Sequence, residues 1–156
     1  MTTTERGEAI YISAKCSVAV HCLIFIAEYG ESSKVTSELL SRSTGINPVT
    51  IRNILSALKK DGIISIKPGT GGAAQACPSG DVSLYRICRA IEPDFLSKLF
   101  GVHPAPSRFC PIGQNIHQVL DASYQKVTDE FSNSLRNITL ADMIAEYHSA
   151  ARRKPV

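Results

Sequence analysis

Two short helical patterns joined by a tight turn constrain the fold of this chain more than any other feature. The first pattern begins at Thr36 or Ser37, either of which is a favourable N-cap. Gly45 supplies the turn, and Asn47-Pro48 then combines a good N-cap with proline at the first helical position of the second pattern. Four apolar residues of the second pattern recur at helical spacing on one face: Ile51, Ile54, Leu55 and Leu58.

A buried helix and a hairpin flank this pair. Residues 10–29 are apolar on most sides, which is typical of a helix packed between two partners. After Asp61-Gly62, the β-branched run 63–66, the glycine-rich turn 67–72 and a weaker strand over 73–77 predict a hairpin. Three helices followed by a hairpin are the layout of a winged helix-turn-helix domain. We therefore expect a mostly α fold with a short β-hairpin wing.

The C-terminal half predicts a helical extension of that domain. A fourth helix is expected from about Val82 to Ile91, and the longest helix from Pro111 to about Leu135. A near capping box at Thr139 starts a last helix. The expected divisions are a winged helix-turn-helix domain over 10–92, a connecting loop over 93–110, and a dimerisation helix with a C-terminal helix over 111–147.

An apolar stripe on the longest helix predicts self-association. Its residues repeat at spacings of three and four, close to a heptad, and the small N-terminal core cannot cover all of them. We interpret this apolar stripe as the interface of a homodimer. The predicted dimer stripe consists of Ile116, Leu120, Tyr124, Val127, Phe131 and Leu135.

The solvent face of the second short helix carries side chains suited to DNA. The formal net charge is only +3, but residues 34–67 contain six basic and two acidic side chains. Asparagine pairs with adenine and arginine with guanine, whereas lysine, serine and threonine suit phosphates. The N-terminal part of such a helix reaches the bases. We expect base contacts from Val49, Thr50, Arg52 and Asn53, and backbone contacts from Ser56, Lys59 and Lys60.

Four positions outside that helix extend the predicted DNA surface. Thr36 and Ser37 begin the first short helix, and Lys67 and Gly71 lie in the wing turn. Lysine there neutralises a phosphate or enters the minor groove, and glycine lets backbone amides approach a phosphate. Two alternatives stay open: a polar helix face that is merely solvated, and a winged helix that binds protein rather than DNA.

The cysteines predict neither an enzyme nor a metal site. Five cysteines at irregular spacing, without a secretory signal, are expected to be reduced thiols. The chain has no CxxC pair and no recognisable nucleophile with a base, so we expect no enzymatic activity and no cofactor. Cys110 differs, because Pro111 makes it the N-cap of the longest helix, where free amides favour the thiolate. A redox-sensing role and a plain capping role both remain open for it.

Hydropathy excludes a membrane protein. The longest apolar stretch, within residues 18–27, is interrupted by His21 and is too short to span a bilayer. The polar segment 1–8 carries both charge signs and lacks the pattern of a secretory signal. We expect a cytoplasmic protein whose partners are double-stranded DNA and a second copy of itself, with no membrane partner.

The order of motifs resembles the Rrf family of bacterial winged-helix regulators, the group that includes IscR, NsrR and CymR. The likeness covers about residues 10–142. Its main motifs are Val35-Thr-Ser-Glu-Leu-Leu, Gly45-Ile-Asn-Pro-Val-Thr-Ile-Arg-Asn-Ile-Leu and Gly69-Thr-Gly-Gly, and Cys110-Pro-Ile-Gly-Gln-Asn-Ile is most similar to the YwnA-like branch. The resemblance implies a homodimeric transcription regulator, usually a repressor. It also implies that residues 47–60 form the DNA-recognition helix and that the longest helix forms the dimer interface.

The chain departs from the iron–sulfur members of that family. Those members carry three clustered cysteines before the longest helix, whereas residues 92–113 here contain Cys110 alone. The usual iron–sulfur cluster is therefore disfavoured. A cluster or metal held through Cys110 with His or Glu ligands, or shared across the dimer, stays open as the alternative. The wing also lacks the basic and aromatic residues that the family places around its glycines.

Overall fold

The computed structural model describes residues 12–69 and 71–154 and confirms the mostly α winged helix-turn-helix fold. That part of the chain contains six α-helices, two short 3-10 helices and one two-stranded sheet. The α-helices are α1 (Ala14–Tyr29), α2 (Ser37–Thr44), α3 (Pro48–Lys60), α4 (Leu84–Ile91), α5 (Pro111–Asn137) and α6 (Leu140–Arg153). The strands are β1 (Ile64–Ile66) and β2 (Ala73–Gln75), between α3 and α4.

The helix ends follow the capping residues of the sequence. The Oγ1 atom of Thr36 accepts a hydrogen bond from the amide of Leu39, and Oδ1 of Asn47 accepts one from the amide of Thr50. Gly45 adopts φ 73°, a left-handed conformation that glycine reaches without steric cost, so the turn between α2 and α3 is tight. Residues 10 and 11 of the predicted first helix lie outside the described part. The last helix runs to Arg153, beyond the predicted end at residue 147.

The main core lies where α1, α2, α3, α4 and the hairpin meet. Ala19, Cys22 and Leu40 are fully buried there, together with Ile51 and Leu58 of α3. The strands β1 and β2 pair antiparallel, with Ser65 opposite Ala74, and cover one side of this core. The four apolar residues of α3 that the sequence placed on one face are all buried.

The C-terminal end of the chain returns to this core. The amide of Leu140 donates to the carbonyl of Val82 at 2.7 Å, and the amide of Leu84 donates to the carbonyl of Ile138 at 2.8 Å. Leu140 is completely buried in the main core. The long helix α5 is therefore tied to the N-terminal domain at its C-terminal end. No helix within the described residues is both long and apolar enough to cross a membrane.

Candidate nucleic-acid interface

Helix α3 presents one polar face to solvent because its opposite face is fixed in the core. Ile51 and Leu58 are fully buried, whereas Val49 is 61% exposed. The predicted contact residues on the outer face are exposed, except Thr50, which is half-buried. The exposed members are Val49, Arg52, Asn53, Ser56, Lys59 and Lys60.

An ion pair between α2 and α3 orients one of these side chains. Nη2 of Arg52 lies 3.2 Å from Oε1 of Glu38, and both side chains are more than half exposed. The pKa of Glu38 is lowered, first by its own backbone amide and then by hydrogen bonds from Arg52 and Ser37. Because the pair is exposed, it contributes little stability, and Arg52 can exchange Glu38 for a phosphate or a base.

Thr36 and Ser37, which are predicted to contact DNA, form side-chain hydrogen bonds at the N-terminus of α2. The hydroxyl of Thr36 caps α2, and the hydroxyl of Ser37 donates to Oε2 of Glu38 at 3.1 Å. Both residues are half-buried at the N-terminus of α2. Their backbone amides belong to a helix N-terminus, which favours a phosphate.

A hydrogen bond between its two ends closes the wing turn. The amide of Lys67 donates to the carbonyl of Gly72 at 3.4 Å. A Cβ on Gly71 would collide with the Lys67 side chain, so glycine at this position allows Lys67 to lie across the turn. Lys67 is exposed and Gly71 is half-buried.

An arginine of α4 holds the C-terminal end of α3, a contact that the sequence pattern did not predict. Nε of Arg86 lies 2.7 Å from Oδ2 of Asp61, the C-cap of α3, and Nη2 donates to the Asp61 carbonyl at 2.8 Å. The hydrogen bond to Asp61 is the largest contribution that raises the pKa of Arg86. Arg89 approaches the same carboxylate at 3.7 Å. Spacing along the chain carries no signal for a pair this far apart.

The predicted dimer stripe divides into two parts. Leu135 is buried and Phe131 half-buried in a small core of the same chain, and the Tyr124 ring stacks on Phe100 at 4.4 Å. The other predicted residues leave apolar surface on α5: Ile116 and Leu120 are half-buried, and Val127 is 48% exposed. Ile112 and Val119, which the sequence prediction omitted, are 73% and 59% exposed on the same side of α5.

Cys110 is the N-cap of α5, as predicted, and is exposed. Its side chain makes no regular capping hydrogen bond. Nevertheless, the amides of Gly113 and Ile112 lower the pKa of the thiol, because they stabilise the thiolate. The exposed ring of Phe109 lies beside it in sequence.

Comparison with known proteins identifies the family. The family model described as Rrf2, iron-dependent transcriptional regulator, matches residues 12–146. The chain is 32% identical over 133 residues to YwnA of Bacillus subtilis (strain 168), described as an HTH-type transcriptional regulator, covering 85% of this chain and 96% of that protein. The chain belongs to the Rrf2 family.

Solved structures share the fold of this chain. A transcriptional regulator from Lactobacillus plantarum is 30% identical, with a TM-score of 0.73, and the match covers 86% of this chain and 90% of that one. T. potens IscR shares the fold, with a TM-score of 0.69 at 19% identity, over 95% and 94% of the two chains. The family resemblance and the prediction of a transcription regulator rather than an enzyme are confirmed, and membership implies DNA as a partner.

The iron in the Rrf2 description can be tested against the side chains present. Within residues 12–69 and 71–154, no three His, Cys, Asp or Glu side chains lie close enough together to hold a metal ion. The His117 ring is hydrogen-bonded to the carbonyl of His103 at 2.8 Å. Within the described residues, no third metal-ligating side chain lies near these two histidines. Within one chain, the donor set of residues 12–69 and 71–154 does not fit an iron site.

Proposed function

We propose that this Rrf2 regulator binds specific double-stranded DNA as a homodimer and acts as a repressor in the cytoplasm. The observation that carries the proposal is the division of α3 into a buried apolar face and an exposed polar face. Val49, Thr50, Arg52 and Asn53 then contact bases from the N-terminal half of α3. Ser56, Lys59 and Lys60 contact the backbone, with Thr36, Ser37, Lys67 and Gly71 at the flanks.

The exposed apolar surface of α5 supports the homodimer. Ile112, Val119 and Val127 lie on one side of a helix whose C-terminal end is already packed on its own domain. Isolated apolar side chains at a surface need no partner, but a stripe along one helix favours association with a like helix. A symmetric dimer presents two copies of α3. We therefore expect a palindromic operator with half-sites about 10 base pairs apart, or a multiple of that spacing.

Selection from randomised duplexes tests this proposal whatever the operator sequence is. The selected and scrambled duplexes are then compared by fluorescence anisotropy at two salt concentrations. We expect the selected palindrome to bind at least about a thousandfold more tightly, with an affinity that falls steeply with salt. Recovery of no preferred sequence, with weak dependence on salt, would favour the alternative of a winged helix that binds protein.

We propose further that Cys110 makes DNA binding responsive to disulfides. The support is an exposed thiol of lowered pKa at the junction of the connecting loop and α5. The Cys110 thiolate attacks a low-molecular-weight disulfide, forms a mixed disulfide and releases one thiolate. We expect glutathione disulfide to lower DNA affinity of the wild type and of Cys77→Ser but not of Cys110→Ser. An equal response of all three proteins would leave Cys110 as a capping residue.

A further inference from the structure

Two cysteines distant in sequence lie together between α1 and α4. Cys16 is in the first turn of α1, Cys88 is in the middle of α4, and they are 4% and 1% exposed. With Phe95 and Leu135 they form a second small core, separate from the main core. Neither thiol belongs to the proposed DNA surface or to the apolar stripe of α5.

The two thiols are chemically unequal. The Cys16 thiol lies within hydrogen-bonding reach of Cys88, and this contact raises the pKa of Cys16, as does burial. The same hydrogen bond lowers the pKa of Cys88, although burial and Glu92 oppose this. Cys88 is therefore the thiol of the pair that ionises more readily, and the thiolate is the form that reacts with a peroxide.

We propose that Cys16 and Cys88 form a modification site, which hydroperoxides oxidise to an intramolecular disulfide. This site is separate from Cys110 in position and in chemistry. A bulky disulfide reagent reaches an exposed thiol, whereas the buried pair admits only an oxidant of about the size of water. Access requires the first turn of α1 to open, and helix ends open locally at low free energy.

The reaction balances in two steps. The Cys88 thiolate attacks the O–O bond of the hydroperoxide, forms a sulfenic acid and releases hydroxide or alkoxide, which takes up a proton. The Cys16 sulfur then attacks the sulfenic sulfur, the S–S bond forms, and water leaves with the Cys16 proton and the sulfenic hydroxyl. Two thiols lose two electrons in total, and the peroxide bond accepts both.

The disulfide must move the elements around it. Bond formation brings the two sulfurs from contact to about 2.05 Å with a fixed dihedral preference, so the Cys16 and Cys88 side chains must change conformation and the packing between α1 and α4 must adjust. Leu135 and Phe131 of α5 pack on the pair, and Arg86 connects α4 to Asp61 at the end of α3. Oxidation therefore shifts α5 relative to α3. This consequence rests on the proposed dimer. In that dimer the two copies of α3 change their spacing, and the affinity for DNA falls.

The test uses the full-length Cys77→Ser/Cys110→Ser protein, in which the exposed and half-exposed thiols are removed. Treatment with a small excess of hydrogen peroxide should lower the mass by about two units, because two thiol hydrogens are lost. Peptide mapping without reduction should then find Cys16 linked to Cys88. A mass gain without a cross-link, or a cross-link through Cys22, overturns the proposal.

Single substitutions separate the two roles. In Cys16→Ala, made in the Cys77→Ser/Cys110→Ser background, we expect the Cys88 sulfenic acid to persist and to be trapped by dimedone once the oxidised protein is unfolded, whereas Cys88→Ala should form no disulfide. Cys22→Ala is the matched control, since Cys22 is also buried on α1 but lies in the main core. It should form the Cys16–Cys88 disulfide normally. The absence of a dimedone adduct at Cys88 in Cys16→Ala would contradict the assigned roles, and a missing Cys16–Cys88 disulfide in Cys22→Ala would contradict the proposal.

DNA affinity gives a second readout. We expect peroxide to weaken binding of the Cys77→Ser/Cys110→Ser protein on the order of tenfold, and reduction to restore it. Loss of the cross-link in Cys16→Ala should abolish this reversible response. Because the mass and the peptide map require no DNA, failure of the proposed DNA-binding function remains distinguishable from failure of the disulfide site.

Discussion

Replacement of Arg86 by alanine should destabilise the protein and loosen the end of the proposed recognition helix. Arg86 donates to the Asp61 carboxylate at 2.7 Å and to the Asp61 carbonyl at 2.8 Å, while its side chain is 29% exposed. Because Asp61 is the C-cap of α3, the substitution removes two restraints from that helix end. Arg86 therefore connects the stability of the domain directly with the orientation of α3.

The expected loss follows from the geometry and the exposure. Hydrogen bonds to charged groups contribute about 1.5–3 kcal/mol each when they are shielded from water. Exposed ion pairs contribute about 0–1 kcal/mol. With about a quarter of each side chain in solvent, the two bonds together should contribute roughly 2 kcal/mol, which corresponds to a melting temperature lower by about 4–8 °C.

Urea unfolding monitored by circular dichroism measures this loss. Arg86→Lys keeps the charge but cannot bridge the carboxylate and the carbonyl together, so we expect it to recover less than half of the lost stability. Arg89→Ala is the matched control, since Arg89 lies 3.7 Å from the same carboxylate and is 53% exposed. Its cost should be no more than about 0.5 kcal/mol. Equal effects of Arg86→Ala and Arg89→Ala would refute this reasoning.

Three further outcomes are expected. Val119→Asp should weaken the proposed dimer at least about a hundredfold in sedimentation, because two copies of the charge would enter the interface, whereas Gln118→Asp should leave it unchanged. Lys59→Gln should reduce the salt dependence of DNA binding by about one unit of slope without altering sequence preference; a change in preference would contradict a phosphate contact. Thr139 lowers the pKa of Asp142, so this stabilisation is complete above the unfolded pKa of about 3.9 and disappears as pH falls through the lower folded pKa. Asp142→Asn should therefore flatten the acid side of the stability profile, and an unchanged profile would exclude this carboxylate as a contributor.

Local signals explain why the helix-turn-helix was predictable. Asn47, Pro48 and Gly45 act within one or two turns of the chain, and each occupies the position that its backbone or side-chain chemistry favours. The buried face of α3 follows from helical periodicity alone. The same reasoning predicted Cys110 as the N-cap of α5.

The features that were not predicted from the sequence depend on contacts between segments that are distant in the chain. Periodicity placed Leu135 on an apolar stripe, but only the fold shows that α4 and α1 cover this end of it. For the same reason the sequence pattern did not predict the Arg86–Asp61 ion pair or the contact between Cys16 and Cys88. Exposure distinguishes Ile112 and Val119 from Leu135, the buried residue of α5, and the amino-acid sequence alone does not show which apolar residues of a helix stay exposed.

The most direct test of the central claim compares specific and non-specific DNA binding by wild type and Asn53→Ala. Asn53 is exposed on the outer face of α3 and is expected to contact a base. Anisotropy with the selected and scrambled duplexes should show that Asn53→Ala weakens specific binding by about 1–3 kcal/mol and leaves non-specific binding nearly unchanged. Equal weakening of both, or no effect on either, would contradict base recognition by α3.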